Sequence, residues 1–214
     1  MIGGNFLKIE QNKKAYIEKY KEDDTRHDSY ISLPFIEGIG SIALEFPVFQ
    51  KLKEKGMFGL VTTEFADELA KFLKGKKVLE VMAGAGYLAH ELHARGVDII
   101  ATDNFSWGIR PYNDFPIENL TAGEAIKKYS NVDYILVSWI PMDDSATELI
   151  KAVKKYCPKT PILHIGEGDG GCTGNEYFFD NVKVIEDPKL FPAQSSYERF
   201  SGIHDYLELM ICKK

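Results

Sequence analysis

The chain has 214 residues, 44% of them hydrophobic and 27% charged, with a formal net charge of −6. That length and balance suit one soluble domain with a sizeable core and room for a small appendage. The acidic balance argues against a surface built to hold phosphate backbones, and no apolar run approaches the roughly 20 residues that cross a bilayer. Cys157, Cys172 and Cys212 are few and widely spaced, so neither a disulfide framework nor a metal site is expected, and a cytoplasmic location follows from that usage. The opening run MIGGNFLKIEQNKKAY lacks the apolar core of a signal peptide, and its Gly3 stands one place too late for myristoylation.

Residues 1–75 read as helices with breaks. Lys13 to Asp24 has helix-favouring composition with Tyr16, Ile17 and Tyr20 on one face, and Pro34 and Pro47 mark breaks or starts. Thr62 or Thr63 is placed to cap a helix in which Phe65, Leu69 and Phe72 recur at helical spacing, Glu64 falls in the first turn and Gly75 ends it.

From Lys77 strands alternate with helices. The predicted strands are Lys77–Val81, Asp98–Thr102, Ile117–Leu120, Tyr134–Trp139 and Pro161–Ile165. The predicted helices are Gly86–Arg95, Ala122–Tyr129 and Ser145–Tyr156. Alternation of this kind specifies a parallel sheet covered by helices on both faces. The tail differs: Val182–Ile185 and Asp205–Cys212 read as strands with no long helix between them, which fits a closing antiparallel hairpin. The expected fold is α/β and doubly wound, with a mainly parallel seven-stranded sheet, a C-terminal antiparallel hairpin and an N-terminal helical extension.

The chemistry-bearing residues fall at the carboxyl ends of these strands, where such sheets bind ligands. The first strand ends on Glu80 and Val81, followed by Met82, Ala83, Gly84, Ala85 and Gly86. Glycines here let backbone approach a ligand, although an ordinary βα turn has the same look. Asp103 closes the second strand and is placed to accept two ribose hydroxyls, or simply to start a turn with Asn104. Thr121 and Ala122 open the next helix, where the hydroxyl either meets an adenine edge or caps the helix. A dinucleotide fingerprint needs a third glycine where Tyr87 and Leu88 stand, and Glu80 at the turn disfavours a pyrophosphate.

In these features the chain resembles the class I S-adenosylmethionine-dependent methyltransferases, over about residues 58 to 214. The carrying residues are Glu80-Val81-Met82-Ala83-Gly84-Ala85-Gly86, then Asp103, then Thr121-Ala122. Met82 replaces the first glycine of the family pattern, and Thr121 stands where an adenine-binding Asp is common. The resemblance implies a Rossmann-like domain over residues 58–214, preceded by a helical lid or platform over residues 1–57. It also implies S-adenosyl-L-methionine as cofactor. The residues expected to hold it are Glu80, Met82, Ala83, Gly84, Gly86, Asp103, Asn104, Thr121, Ala122 and Ser138, with Phe105 bordering the adenine.

On the acceptor side the expected residues are Ser138, Trp139 and Glu167, and the expected acceptor is a small molecule or an amine. The run VSWIPMDD partly resembles the polar-proline-aromatic motif of amine-methylating members, though Trp139 reads equally well as core. The glycine-rich run from His164 to Asp180 is expected as a loop lining the substrate pocket, with Glu167 offering a carboxylate. Tyr16, Tyr20 and His27 are expected to close the pocket, and His204-Asp205 either orients a group at the sheet's end or forms a polar turn. Two alternatives stay open, a non-catalytic nucleoside-binding protein on this scaffold and a nucleic-acid methyltransferase, the second disfavoured by charge.

Overall fold

A computed structural model describes residues 49–200 and 202–214, so Tyr16, Tyr20, His27 and the bulk of the expected helical extension lie outside the described residues. After a helical segment at 49–54 come α1 (Thr63–Phe72), β1 (Lys77–Val81), α2 (Tyr87–Ala94), β2 (Asp98–Asp103) and β3 (Ile117–Asn119). Then follow α3 (Ala122–Lys128), β4 (Tyr134–Ser138), α4 (Asp144–Tyr156), β5 (Ile162–Gly166), α5 (Glu176–Asn181), β6 (Val182–Val184), α6 (Phe191–Ser196) and β7 (Tyr206–Cys212). Among the described residues no helix is long and apolar enough to cross a membrane.

The seven strands form one sheet in the order β3-β2-β1-β4-β5-β7-β6. The first five are parallel, while β7 runs antiparallel to both β5 and β6. This is the expected doubly wound α/β architecture with its antiparallel hairpin at the carboxyl end.

Side chains alternate across the pleat, so each central strand feeds two cores. Val78, Leu136, Leu163 and Ile165 join one core with Phe65 and Leu69 of α1 and Leu88 and Leu92 of α2. Leu79, Val81, Ile135, Val137 and Ile162 join the other with Ile126 of α3, Leu149 and Val153 of α4 and Phe178 of α5. Burial on both faces explains why these strands read as nearly unbroken apolar runs. Each fully buried Leu or Ile contributes on the order of 1.5–3 kcal/mol. His164 shares the second face, with no exposure and neither ring nitrogen hydrogen-bonded among the described residues, and burial holds its pKa down at about 4. It is therefore a neutral packing residue against Phe178 and Phe179.

Caps fix the helix starts that face the ligand end of the sheet. Thr62 accepts the Phe65 N–H at 3.2 Å, Asp143 accepts that of Ser145 at 2.9 Å and Asn175 that of Phe178 at 2.9 Å. Thr121 and Glu124 form a reciprocal capping box.

Two short helices depart from the sequence reading. α5 interrupts the segment expected as a continuous pocket-lining loop, and α6 follows a 3-10 turn at Pro188–Leu190. Both helices have six residues, too few for a 3.6-residue period to show. Asn175 also donates to the Asp143 carbonyl at 2.9 Å and to Thr147 Oγ1 at 3.0 Å, pulling α5 onto α4 and away from the cleft.

Candidate functional site

Strand order reverses between β1 and β4, β2 lying on one side of β1 and β4 on the other. At such a switch point the connections leave in opposite directions and open a crevice at the carboxyl edge. An open cleft lies there, its walls drawn from the ends of β1, β2 and β4 and from the run Gly56–Val61.

The turns at this edge are strained. Met82 follows β1 with φ 54°, Phe105 lies two residues beyond β2 with φ 52°, and Trp139 follows β4 with φ 57°. A side-chain-bearing residue in the left-handed region costs about 1–2 kcal/mol, and such residues gather at ligand sites. Three of the five such residues among the described ones stand on these adjacent strand tips, which makes this edge the candidate site. Met82 thus takes the backbone conformation that a glycine would take freely, and its side chain borders the cleft.

Glu80 belongs by pleat to the α2 face, which buries it at the cleft floor with only 2% exposure. Its carboxylate accepts the Ala89 backbone N–H, while Oε2 has no hydrogen-bond partner among the described residues. Burial pushes its pKa up to about 8, with the Asp103 charge adding to the rise and the Ala89 bond opposing it. An acid so placed is half-satisfied among the described residues.

Asp103 faces the same cleft from β2. Its Oδ2 accepts the Gly84 N–H at 2.8 Å and its Oδ1 accepts the Phe105 N–H at 2.7 Å. Each oxygen retains a second lone pair for a ligand hydroxyl. The glycine turn is held from behind by Ala83 N–H to the Thr102 carbonyl at 3.0 Å and Tyr112 N–H to the Ala85 carbonyl at 2.8 Å.

Gly86 does not line the cleft. It has φ 74° at the start of α2, and a Cβ there would meet Ile117 Cδ1 at 2.8 Å. Gly86→Ala is therefore expected to destabilise the fold by about 1–3 kcal/mol, read from urea unfolding, and an unchanged midpoint would contradict the placement.

Of the residues singled out in the sequence, Glu80, Met82, Ala83, Gly84, Asp103, Asn104, Ser138 and Trp139 border this one cleft. The others stand apart. Thr121 spends its hydroxyl on the Glu124 N–H and on Glu148 Oε1 at 2.9 Å, and Ala122 is buried in the core under α3. The capping alternative describes Thr121 here, and neither residue borders the cleft.

Glu167 is drawn away as well. It accepts the Cys172 N–H at 2.7 Å and the His204 N–H at 3.0 Å, and these bonds hold its pKa below the ordinary value. It ties the glycine-rich loop to the approach of β7 and does not face the acceptor side of the cleft.

Sequence reading gave no cleft role to Gly56–Val61, to Trp107 or to Tyr197, and left Asp205 as a polar turn or an orienting group. Phe58 packs on Trp107 with ring centroids 5.4 Å apart and on Trp139 at 6.5 Å. Only the clustering of glycine and apolar residues in GMFGLV could have flagged that run. The bordering titratable side chains Glu80, Asp103 and Asp143 are all carboxylic acids, with no Lys, Arg or His among the described lining residues.

No family model and no curated protein matches the chain. Among solved structures it is similar to the CcbJ methyltransferase from Streptomyces caelestis, at 10% identity and a TM-score of 0.45, covering 71% of this chain and 89% of that one. It is also similar to human N-acetylserotonin methyltransferase in complex with SAM, at 14% identity and a TM-score of 0.45, covering 81% of this chain and 57% of that one. A third is the ribosomal protein L11 methylase from Lactobacillus delbrueckii subsp. bulgaricus, at 14% identity and a TM-score of 0.39, covering 70% and 77%. Likenesses this distant speak to the fold alone and leave the chemistry to the residues. In strand order, parallel core and closing hairpin, the chain has a Rossmann-like α/β fold.

Proposed function

We propose that the cleft binds S-adenosyl-L-methionine and that the protein is a methyltransferase acting on a small acceptor that carries an amine. One observation carries this reading: Glu80, buried with an orphaned carboxyl oxygen, and Asp103, anchored by two backbone donors, border one cleft on either side of Gly84. An ammonium satisfies the first and vicinal hydroxyls the second, and a sulfonium nucleoside of an amino acid has both groups. The absence of basic side chains among the described lining residues weighs against phosphorylated ligands.

When bound, the sulfonium supplies an already activated methyl group. The chain's own work is then to align the acceptor, exclude water and receive polar hydrogens. Ser138 Oγ borders the cleft with no hydrogen-bond partner among the described residues, so it is available to an acceptor amine. The location remains an expectation from composition, the cytoplasm.

A non-catalytic nucleoside binder on this scaffold has two supports, Met82 in place of a glycine and the incomplete motif after β4. The left-handed backbone at Met82 weakens the first, because the turn keeps the course a glycine would give it.

Calorimetric titration with S-adenosylhomocysteine tests the cofactor half. Saturable heat at micromolar concentration is expected, and silence up to about 1 mM, which bounds any binding to about 4 kcal/mol, sinks the proposal. Transfer of labelled methyl to a panel of small amines tests the enzymatic half, and binding without any transfer returns the sensor reading.

A further inference from the structure

Behind the acceptor side of the cleft lies a buried polar cluster. Asp205, just before β7, is 2% exposed. Its Oδ2 accepts the Trp139 indole N–H at 2.8 Å and the Tyr197 hydroxyl at 2.5 Å, while Oδ1 has no partner among the described residues. The Tyr197 hydroxyl in turn accepts the Leu60 backbone N–H. Burial and the Asp205 charge push the Tyr197 phenol well above its ordinary value, so it stays a donor. One carboxyl therefore ties together the tip of β4, the residue after α6 and the cleft wall at Gly56–Val61.

We propose that Asp205 is a positioning residue that fixes and polarises the Trp139 indole, making this ring, with Phe58 and Trp107, an aromatic wall for the positive charge that an amine acceptor, bound as its free base, gains on nitrogen as the N–C bond forms and the S–C bond breaks. The inference rests on the reading above that the acceptor occupies this side of the cleft.

Four observations converge on it. Trp139 holds a left-handed backbone, φ 57°, which a side chain adopts only when its surroundings dictate it. An indole N–H donating to a carboxylate enriches the ring's electron density, and cations are drawn to electron-rich aromatic rings. Phe58 and Trp107 border the same cleft, and Trp107 is 59% exposed, open to an incoming ligand. Gly59 lets the cleft wall pack closely on the indole: a Cβ there would stand 3.1 Å from both Ser138 Oγ and the Tyr197 hydroxyl and 3.2 Å from Trp139 Cδ1, so a side chain at this position would push the wall off the ring.

The chain has two tryptophans, so the protein labelled with nitrogen-15 shows two indole N–H signals, and Trp107→Phe assigns them. Tetramethylammonium is the probe and tert-butanol its neutral counterpart of similar shape. In the wild type the Trp139 signal is expected far downfield and to shift saturably with tetramethylammonium, with tert-butanol binding at least about tenfold more weakly. Asp205→Asn is expected to move the signal upfield and weaken tetramethylammonium at least about threefold. Tyr197→Phe relieves Oδ2 of a competing donor, so the signal stays downfield, which keeps the idea testable if Asp205→Asn fails to fold.

An Asp205→Asn protein with the wild-type indole position and the same preference for the ammonium overturns the inference, as does equal binding of the two probes by the wild type. S-Adenosylhomocysteine titrated into the same wild-type protein separates the two readings. Its failure to bind removes the methyl-transfer proposal while the ammonium preference, where observed, stands by itself. Its binding without any ammonium preference removes only the aromatic wall.

Discussion

Asp103→Ala is expected to abolish measurable S-adenosylhomocysteine binding, a loss of at least about 100-fold, and to lower stability by roughly 2–4 kcal/mol. Two consequences come from one side chain because the carboxylate serves the fold and the ligand together. Its oxygens accept the Gly84 and Phe105 N–H groups at 2.8 and 2.7 Å, joining the turn after β1 to the turn after β2. Hydrogen bonds to a charged group contribute about 1.5–3 kcal/mol each, and the partial exposure of this site places the pair toward the lower end. Alanine leaves both donors without an acceptor and frees the Gly84 turn, whose φ of 57° has no other side chain to hold it. Asp103→Asn keeps one carbonyl oxygen and so one of the two bonds, and an intermediate loss is expected in both measurements. Urea unfolding reads the first effect and calorimetric titration the second. Binding by Asp103→Ala within threefold of the wild type would remove Asp103 from the ligand site.

What the sequence reveals of this molecule follows the range of each interaction. The central strands are legible because both their faces are buried, which makes Val78, Leu79 and Val81 apolar around Glu80 and writes Ile135–Val137 as an apolar run. The carboxyl-end residues Glu80, Asp103 and Ser138 are legible for a geometric reason: parallel strands deliver their last residues to one edge whatever the details of packing. Thr121 is legible as a cap, since Thr-Ala-Gly-Glu carries the capping box within four residues, and a ligand role adds nothing the helix start needs.

Glu167 is the contrary case. Its donors are the backbone of Cys172, five residues on, and of His204, 37 residues on, so nothing near it in the chain announces a structural clamp. Asp205 and Trp139 lie 66 positions apart and meet only because β7 inserts beside β5. The helix α5 hides for a different reason: its cap, Asn175, sits at the end of a glycine-rich run that reads as irregular. Local chemistry is readable along the chain, and contacts made by the antiparallel insertion are not.

Glu80→Gln is expected to stabilise the unliganded protein at pH 8 by up to about 5 kcal/mol and to leave it unchanged near pH 4.5. The carboxyl is buried beside Asp103 and retains its proton to about pH 8, whereas in the unfolded chain it releases it near 4.5. Between those values the folded state binds the extra proton, so stability falls as pH rises through the window. Glutamine has no such proton to lose and is expected to flatten the slope. Binding inverts the preference. An ammonium at Oε2 satisfies the ionised carboxylate, so a cationic ligand expels the proton, and its affinity is expected to rise by up to about tenfold per unit between pH 6 and 7.5. Titrations at pH 7 in buffers of different ionisation enthalpy are expected to show close to one proton released in the wild type and none in Glu80→Gln, together with at least about a tenfold loss of affinity in the variant at pH 8. Parallel stability curves for the two proteins, or binding without proton release, would mean that the orphaned oxygen meets no cation. The cleft would then have lost the feature that separates a sulfonium ligand from any other nucleoside.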